Sequence, residues 1–228
     1  MGYLQLTRSD SFRPAPLFGD LLQGDPHVFD FSADNPRVAD YASSDFDRFQ
    51  RQIFDELEAS KCSWGLGHYL EERATLLRPF PQMIDEGRVI HAGLDVIVPE
   101  GVPLFAPLGG TVHACGLDDG VGNYGGYVVL RHEPGRDHED QEPFYSFYGH
   151  VRTDFEVQPG QVIERGASFA RIGARRDSGQ WFTHTHLQIH TQASIDEGRL
   201  MQGYITREDL ARVGDLFPTP YPMFRVDP

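Results

Sequence analysis

The sequence predicts a mainly β fold with minor α content: an antiparallel sheet core with a helical and irregular N-terminal extension. Three observations predict it. From about residue 86, short apolar runs alternate with glycine and proline turn signals. A single stretch near residues 45–60 has helical periodicity. Both ends carry prolines without any period. A chain of 228 residues buries one sizeable core. The expected division is an N-terminal extension over 1–80, a main domain over 81–195, and a short helix with a proline-rich tail over 196–228 packed on that domain.

Taken in order, residues 1–42 hold Pro14, Pro16, Pro26 and Pro36 among scattered apolar residues and read as irregular, wrapped chain. Ser44-Asp45-Phe46-Asp47 has the form of a capping box, with Asp in the acidic position. Phe46, Phe49, Ile53 and Leu57 then recur at helical spacing, with Phe54 widening the stripe. This predicts one amphipathic helix over about 45–60, its aromatic face packed on the core. The candidate strands are Val89–Val98, Thr111–Cys115, Tyr127–His132, Phe144–Val151, Gln161–Ile163, Phe169–Ile172 and Trp181–His190. Pro99-Glu100-Gly101, Gly109-Gly110, Gly125-Gly126 and Pro159-Gly160 separate them, and connections this short fit antiparallel pairing. Thr206-Arg207-Glu208-Asp209 opens a short helix, and Pro218, Pro220, Pro222 and Pro228 make an irregular tail.

Charge and composition exclude several partners. The formal net charge is −14 and the aromatic content 12%, as in an acidic, soluble, folded protein. Lys61 is the sole lysine and no basic stripe is present, so nucleic acid is not an expected partner. No stretch has the length of a membrane span, and Leu6 and Thr7 break the spacing that myristoylation at Gly2 would need. Residues 1–10 lack a basic leader followed by an apolar segment, and Cys62 and Cys115 read as separate reduced thiols. The expectation is a cytoplasmic protein, or a secreted or periplasmic one if a leader has been removed. Nothing in the sequence fixes an oligomeric state.

The chemistry concentrates in three places: His91-Ala92-Gly93-Leu94-Asp95, Tyr148-Gly149-His150 and His184-Thr185-His186. Imidazole and carboxylate suit zinc, and three such donors leave a coordination position open. The two remaining imidazoles can move protons beside the metal. On an extended strand alternate side chains share a face, so His184, His186 and Phe182 point one way, with Leu187 and Ile189 in the core. His190 shares that parity but lies four residues past His186, roughly 13 Å away, outside the first shell. His91 and Asp95 have the same awkward separation, and a bend at Ala92-Gly93 would bring them together. His91 should then precede a regular strand, with Asp95 within it.

These residues resemble the lysostaphin/LytM-type zinc endopeptidase domain, which carries His-x-x-x-Asp and a downstream His-x-His. Between the two that family has a glycine-rich strand turn, here Gly122–His132, an aromatic-x-His, here Tyr148-Gly149-His150, and Gly-x-x-Val-x-x-Gly. The last matches Gly160-Gln161-Val162-Ile163-Glu164-Arg165-Gly166 only in its glycines, with Ile163 at the valine position. The resemblance covers about residues 86–191. It implies His91, Asp95 and His186 as ligands of one Zn2+ per chain. It also implies His150 and His184 as catalytic residues, one the general base and the other supporting the water or transition state. The implied fold is an antiparallel sheet with a substrate groove above it, and the implied activity is cleavage of peptide bonds in peptidoglycan cross-bridges or stems. Val151, Thr183, Leu187 and Gln188 depart from residues common in the family. Some relatives also place a tyrosine shortly before the first ligand. Residues 82–90 hold none, and Tyr145 and Tyr148 are the candidates to take its place.

A looser resemblance joins Gly67-His68-Tyr69-Leu70-Glu71-Glu72-Arg73 and the insertion before Phe144 to the middle part of proteins that link a kinase-like phosphotransferase to a pyridoxal-phosphate aminotransferase. It implies an intracellular form whose substrate the motif does not specify. Three functions follow: a zinc hydrolase of peptide or amide bonds, a cytoplasmic metalloenzyme for a small amide or amino-acid-derived metabolite, and a non-catalytic binding domain that keeps the fold. A groove blocked by residues 1–80 would favour a small substrate. His27, His68, His113, His132 and His138 read as structural or surface residues, and Cys115 as a packed thiol.

Overall fold

Strand parity decides which face of each strand enters the core. In the computed structural model, which describes residues 2–9, 12–42, 45–133 and 142–224, the strands run in chain order from β1 to β12. They are β1 His27–Phe29, β2 Gly65–Gly67, β3 Ile90–His91, β4 Leu94–Ile97, β5 Pro103–Phe105 and β6 Gly110–Asp118. The remaining six are β7 Gly125–His132, β8 Phe144–Val151, β9 Val162–Ile163, β10 Ser168–Arg171, β11 Thr185–Thr191 and β12 Tyr204–Ile205. Among the described residues, eight strands form one sheet in the order β1-β2-β4-β11-β8-β7-β6-β9. β5 pairs with β10, and β3 with β12. Every named pairing is antiparallel except β1 on β2, which is parallel. The strand-dominated, largely antiparallel architecture is the one the sequence predicts. β1 and β2 are additions from residues expected to be irregular. At three residues each, one of them Gly65-Leu66-Gly67, they are too short to show a period.

One face of the sheet is apolar. Leu94, Val96, Val128, Leu130, Tyr148 and Leu187 pack with Leu17, Phe18, Trp64, Leu66, Phe169 and Ile172. Their strand neighbours Asp95, Phe147, His186 and Gln188 take the other face by alternation. β11 lies between β4 and β8, with His186 opposite Asp95 on one side and Gly149 on the other. That register brings the three motifs together.

Two candidate strands are shorter than their apolar runs. Val89–Val98 divides at Ala92-Gly93, where the bend was expected, so that His91 pairs with Tyr204 in a separate ribbon while Asp95 stays in the main sheet. Gly93 matters here for room. A Cβ on it would lie 2.5 Å from the His186 ring and 2.7 Å from the Leu187 carbonyl oxygen. Likewise Trp181–His184 precede β11 as irregular chain, held by Trp181 Nε1 donating to the Gly122 carbonyl at 3.1 Å and by the Trp181 ring 4.1 Å from Phe80.

The expected helix spans Phe46–Ser60 and buries Phe49, Ile53 and Leu57. Its cap is Asp45, whose side chain accepts from Arg48 N at 3.0 Å; Ser44 lies outside the described residues. Phe49 meets Phe182 edge-on at 5.2 Å, which ties the helix to the segment entering β11. A shorter helix, Pro81–Asp85, leads into β3. The helix expected after Thr206 is a 3-10 turn, Glu208–Arg212, continuing as Val213–Leu216. The tail contains the helix Tyr221–Phe224; Pro228, like His138, lies outside the described residues. Among the described residues, no helix is long and apolar enough to cross a membrane.

Candidate metal centre

His91, Asp95 and His186 meet at one point. His91 Nε2 lies 3.0 Å from His186 Nδ1 and 3.2 Å from Asp95 Oδ1, and His186 Nδ1 lies 3.3 Å from the same oxygen. All three side chains are buried, with their donor atoms within 4.8 Å of one another.

The outer ring nitrogens decide what those inner atoms are. His91 Nδ1 donates to the His68 carbonyl at 2.8 Å. His186 Nε2 donates to Gln188 Oε1 at 2.8 Å, and the amide is oriented by its own Nε2 donating to the Gln202 carbonyl at 3.0 Å. A neutral imidazole whose N–H is used outward presents a lone pair inward, so these two bonds direct His91 Nε2 and His186 Nδ1 as acceptors toward a carboxylate oxygen. Three acceptors at such distances repel one another unless a cation sits among them. The donor set, neutral imidazole and carboxylate with outer partners fixing the tautomers, fits a divalent transition metal such as zinc.

Charge around the cluster favours that protonation state. Burial, reinforced by the nearby Arg73 cation, holds His91 down to about 3, so it is neutral at pH 7. Burial alone would raise Asp95, but His91 and Arg73 outweigh it and keep the carboxyl well below its ordinary range. Arg73 is itself buried and bonds Asp95 Oδ2 at 2.5 Å and Glu71 Oε2 at 2.8 Å.

His184 and His150 stand beside the cluster. His184 Nδ1 donates to the Phe182 carbonyl at 2.7 Å, which turns Nε2 toward the cluster, 3.4 Å from Asp95 Oδ1. The His150 ring lies 4.3 Å from that of His184, and its buried Nδ1 has no hydrogen-bond partner among the described residues. Burial, then the two neighbouring histidines His184 and His186, depress His150 well below an ordinary imidazole, so it too is neutral. His150 adopts a φ of 60°, a costly conformation for a side chain other than glycine, and one that clusters at functional sites.

All five residues line one cavity of about 230 Å³, with Tyr124, Tyr204, Trp181 and Met201 as apolar and aromatic walls and Arg88 and Asp118 among its charged groups. Gln82 Nε2 donates to the Val121 carbonyl at 2.9 Å, tying the Pro81–Asp85 helix to the turn between β6 and β7. The tyrosines lining the cavity are Tyr124 and Tyr204, not the expected Tyr145 and Tyr148. Tyr148 faces the apolar core against Phe169, and Tyr145 donates to Gln192 Oε1 at 2.7 Å. Position on β8 explains both. Alternation turns Tyr148 away from the site, and Tyr145 lies too far along the strand, opposite His190 rather than His186. Tyr204 reaches the site only through the pairing of β12 with β3. Parity on β11 did put Gln188 on the same face as His186, a signal that was available. Arg73 had none beyond a basic residue after a glycine-flanked run. His190 stays outside the cluster, its Nδ1 bonded to Ser194 Oγ at 2.8 Å. His132 and Cys115 have structural surroundings: His132 bonds Gly109 O and Ser146 Oγ, and burial raises the Cys115 thiol.

The sequence model of peptidase family M23 matches residues 89–197. A relative from Haemophilus influenzae named an uncharacterized metalloprotease is 32% identical over 100 residues, covering 44% of this chain and 18% of the relative. The chain therefore spans about a fifth of the length of that relative. A zinc-containing peptidase from Vibrio cholerae is 25% identical with a TM-score of 0.37, covering 46% of this chain and 28% of its own. The catalytic domain of lysostaphin from Staphylococcus simulans is 16% identical with a TM-score of 0.42, covering 60% of this chain and 81% of its own.

Proposed function

We propose that the chain is a zinc-dependent hydrolase of peptide or amide bonds, a reading supported by the match of residues 89–197 to the sequence model of peptidase family M23. The observation that carries this reading is the convergence of three buried acceptor atoms whose repulsion a cation relieves. His91 would hold zinc through Nε2, Asp95 through Oδ1 and His186 through Nδ1. Zinc bound there supplies Lewis-acid polarisation of a carbonyl oxygen and makes water more acidic.

This chain's own residues supply the proton chemistry and the enclosure. His184, its Nδ1–H committed to the Phe182 carbonyl, offers Nε2 to accept a proton from the attacking water. The same carbonyl then stabilises the imidazolium that forms. His150, held neutral beside it, supports the water or the developing charge. Trp181, Tyr124 and Tyr204 exclude solvent from this corner of the cleft.

A peptidoglycan-type peptide is the substrate that the resemblance implies. A second reading, a small amide or amino-acid-derived metabolite, is favoured by the size and walls of the cleft. Its volume, about 230 Å³, is below the roughly 300–1,000 Å³ usual for small-molecule sites, and the Gln82 and Trp181 bonds close it on one side.

Metal analysis tests the site. The wild-type protein should carry about one zinc per chain and His186→Ala none. His184→Ala should keep its metal and lose roughly 10²–10⁴-fold in turnover. Cross-bridge and stem peptides assayed against short acyl-amino-acid amides then separate the two substrate readings. A wild-type protein that takes up no metal even when zinc is supplied would leave a binding domain instead.

A further inference from the structure

A buried arginine needs partners, and Arg73, 1% exposed, has an unusually directed set. Its Nε donates to Glu71 Oε2 at 2.8 Å and its Nη1 to Asp95 Oδ2 at 2.5 Å, while its guanidinium lies 5.0 Å from the Phe31 ring centre. Glu71 is itself fixed, its Oε1 accepting from Phe31 N at 2.8 Å. Gly67, the register partner of Asp95, makes the room: a Cβ there would lie 2.7 Å from Arg73 Nη2. The two oxygens of Asp95 are thereby divided. Oδ2 is engaged by Arg73, and Oδ1 alone faces His91, His184 and His186, at 3.2, 3.4 and 3.3 Å.

We propose that Arg73 is a positioning residue that restricts Asp95 to one-oxygen coordination and so keeps the fourth metal position open for chemistry. The inference rests on reading the cluster as a metal centre. A carboxylate without this restraint can swing both oxygens onto a cation and close the site. The device comes from residues 67–73, outside the stretch matched by the family. A rigid planar fork spanning two carboxylates suits this task, and a lysine, which is a point charge on a flexible stem, does not.

Cobalt(II) provides a readout that a merely structural ion pair would not move, because its visible absorption weakens as coordination rises from four to five or six. The full-length wild-type protein, Arg73→Lys and Gly67→Ala are each loaded with cobalt, with folding checked by circular dichroism. The expected result is an intense wild-type band that is severalfold weaker in Arg73→Lys, with Gly67→Ala shifted in the same direction. Where Arg73→Lys does not fold, Gly67→Ala decides. Wild-type spectra in the folded variants overturn this inference and leave the metal centre standing. Failure of the wild-type protein to bind cobalt overturns both.

Discussion

At the scale of single residues, the site depends on which nitrogen of each histidine is turned inward. His186 presents Nδ1 because Gln188 captures Nε2, and Gln188 can do so because the Gln202 carbonyl fixes its amide. Replacing Gln188 by Leu removes that acceptor while keeping a similar volume. Outer partners of this kind are typically worth 10–100-fold in metal affinity. Gln188→Leu should therefore bind zinc about 10–100-fold more weakly in a competition titration against a chelating dye; an unchanged affinity would show that the tautomer is set some other way. Strand parity on β11 puts Gln188 on the face of His186. Parity alone does not reveal the role, because the Gln202 carbonyl that orients the Gln188 amide comes from a separate segment.

Among the elements, the Phe46–Ser60 helix has the largest consequence for the site. Its hydrophobic stripe was legible because Phe49, Ile53 and Leu57 follow the helical period. What it packs on was not. Phe49 lies against Phe182 and Trp181, and Gln50 Oε1 accepts from Thr183 N at 2.7 Å, so the helix braces the chain just before His184. Phe49→Ala should destabilise the protein by about 3–5 kcal/mol, the usual cost of a large-to-small change at a buried aromatic, measured by urea denaturation. A loss below about 1 kcal/mol would mean that the helix end collapses onto the cavity without strain. β1 and β2 teach the opposite lesson. Three-residue strands carry no readable period, yet β2 borders the strand that bears Asp95.

For the whole molecule, the number of buried neutral histidines sets the response to acid. Burial lowers His132 to about 4 and His190 to about 3, against about 6.5 in an unfolded chain. Between those values the unfolded chain binds protons that the folded one refuses. Stability is therefore complete above about pH 6.5 and falls as pH drops through that window. Each such group contributes a slope of about 1.4 kcal/mol per pH unit, so His132 alone is worth on the order of 3 kcal/mol by pH 4. Urea unfolding of chelator-treated protein from neutral pH down to about pH 4.5 should show this loss, with a shallower slope in His132→Gln. Equal slopes in the two proteins would count against the burial argument.

The sequence by itself determined the strand-and-turn alternation, the core helix, and the ordered set His91, Asp95, His150, His184 and His186, because these are local patterns of period and spacing. Tertiary structure alone decided that Arg73 engages Asp95, 22 positions away, and that His91 meets His186, 95 positions away. It also decided that Tyr204, rather than Tyr145 or Tyr148, lines the cleft. The physical reason is range. A period of two or 3.6 residues fixes which way a side chain points from its own element, whereas its partner depends on sheet order and register, which bring distant segments together.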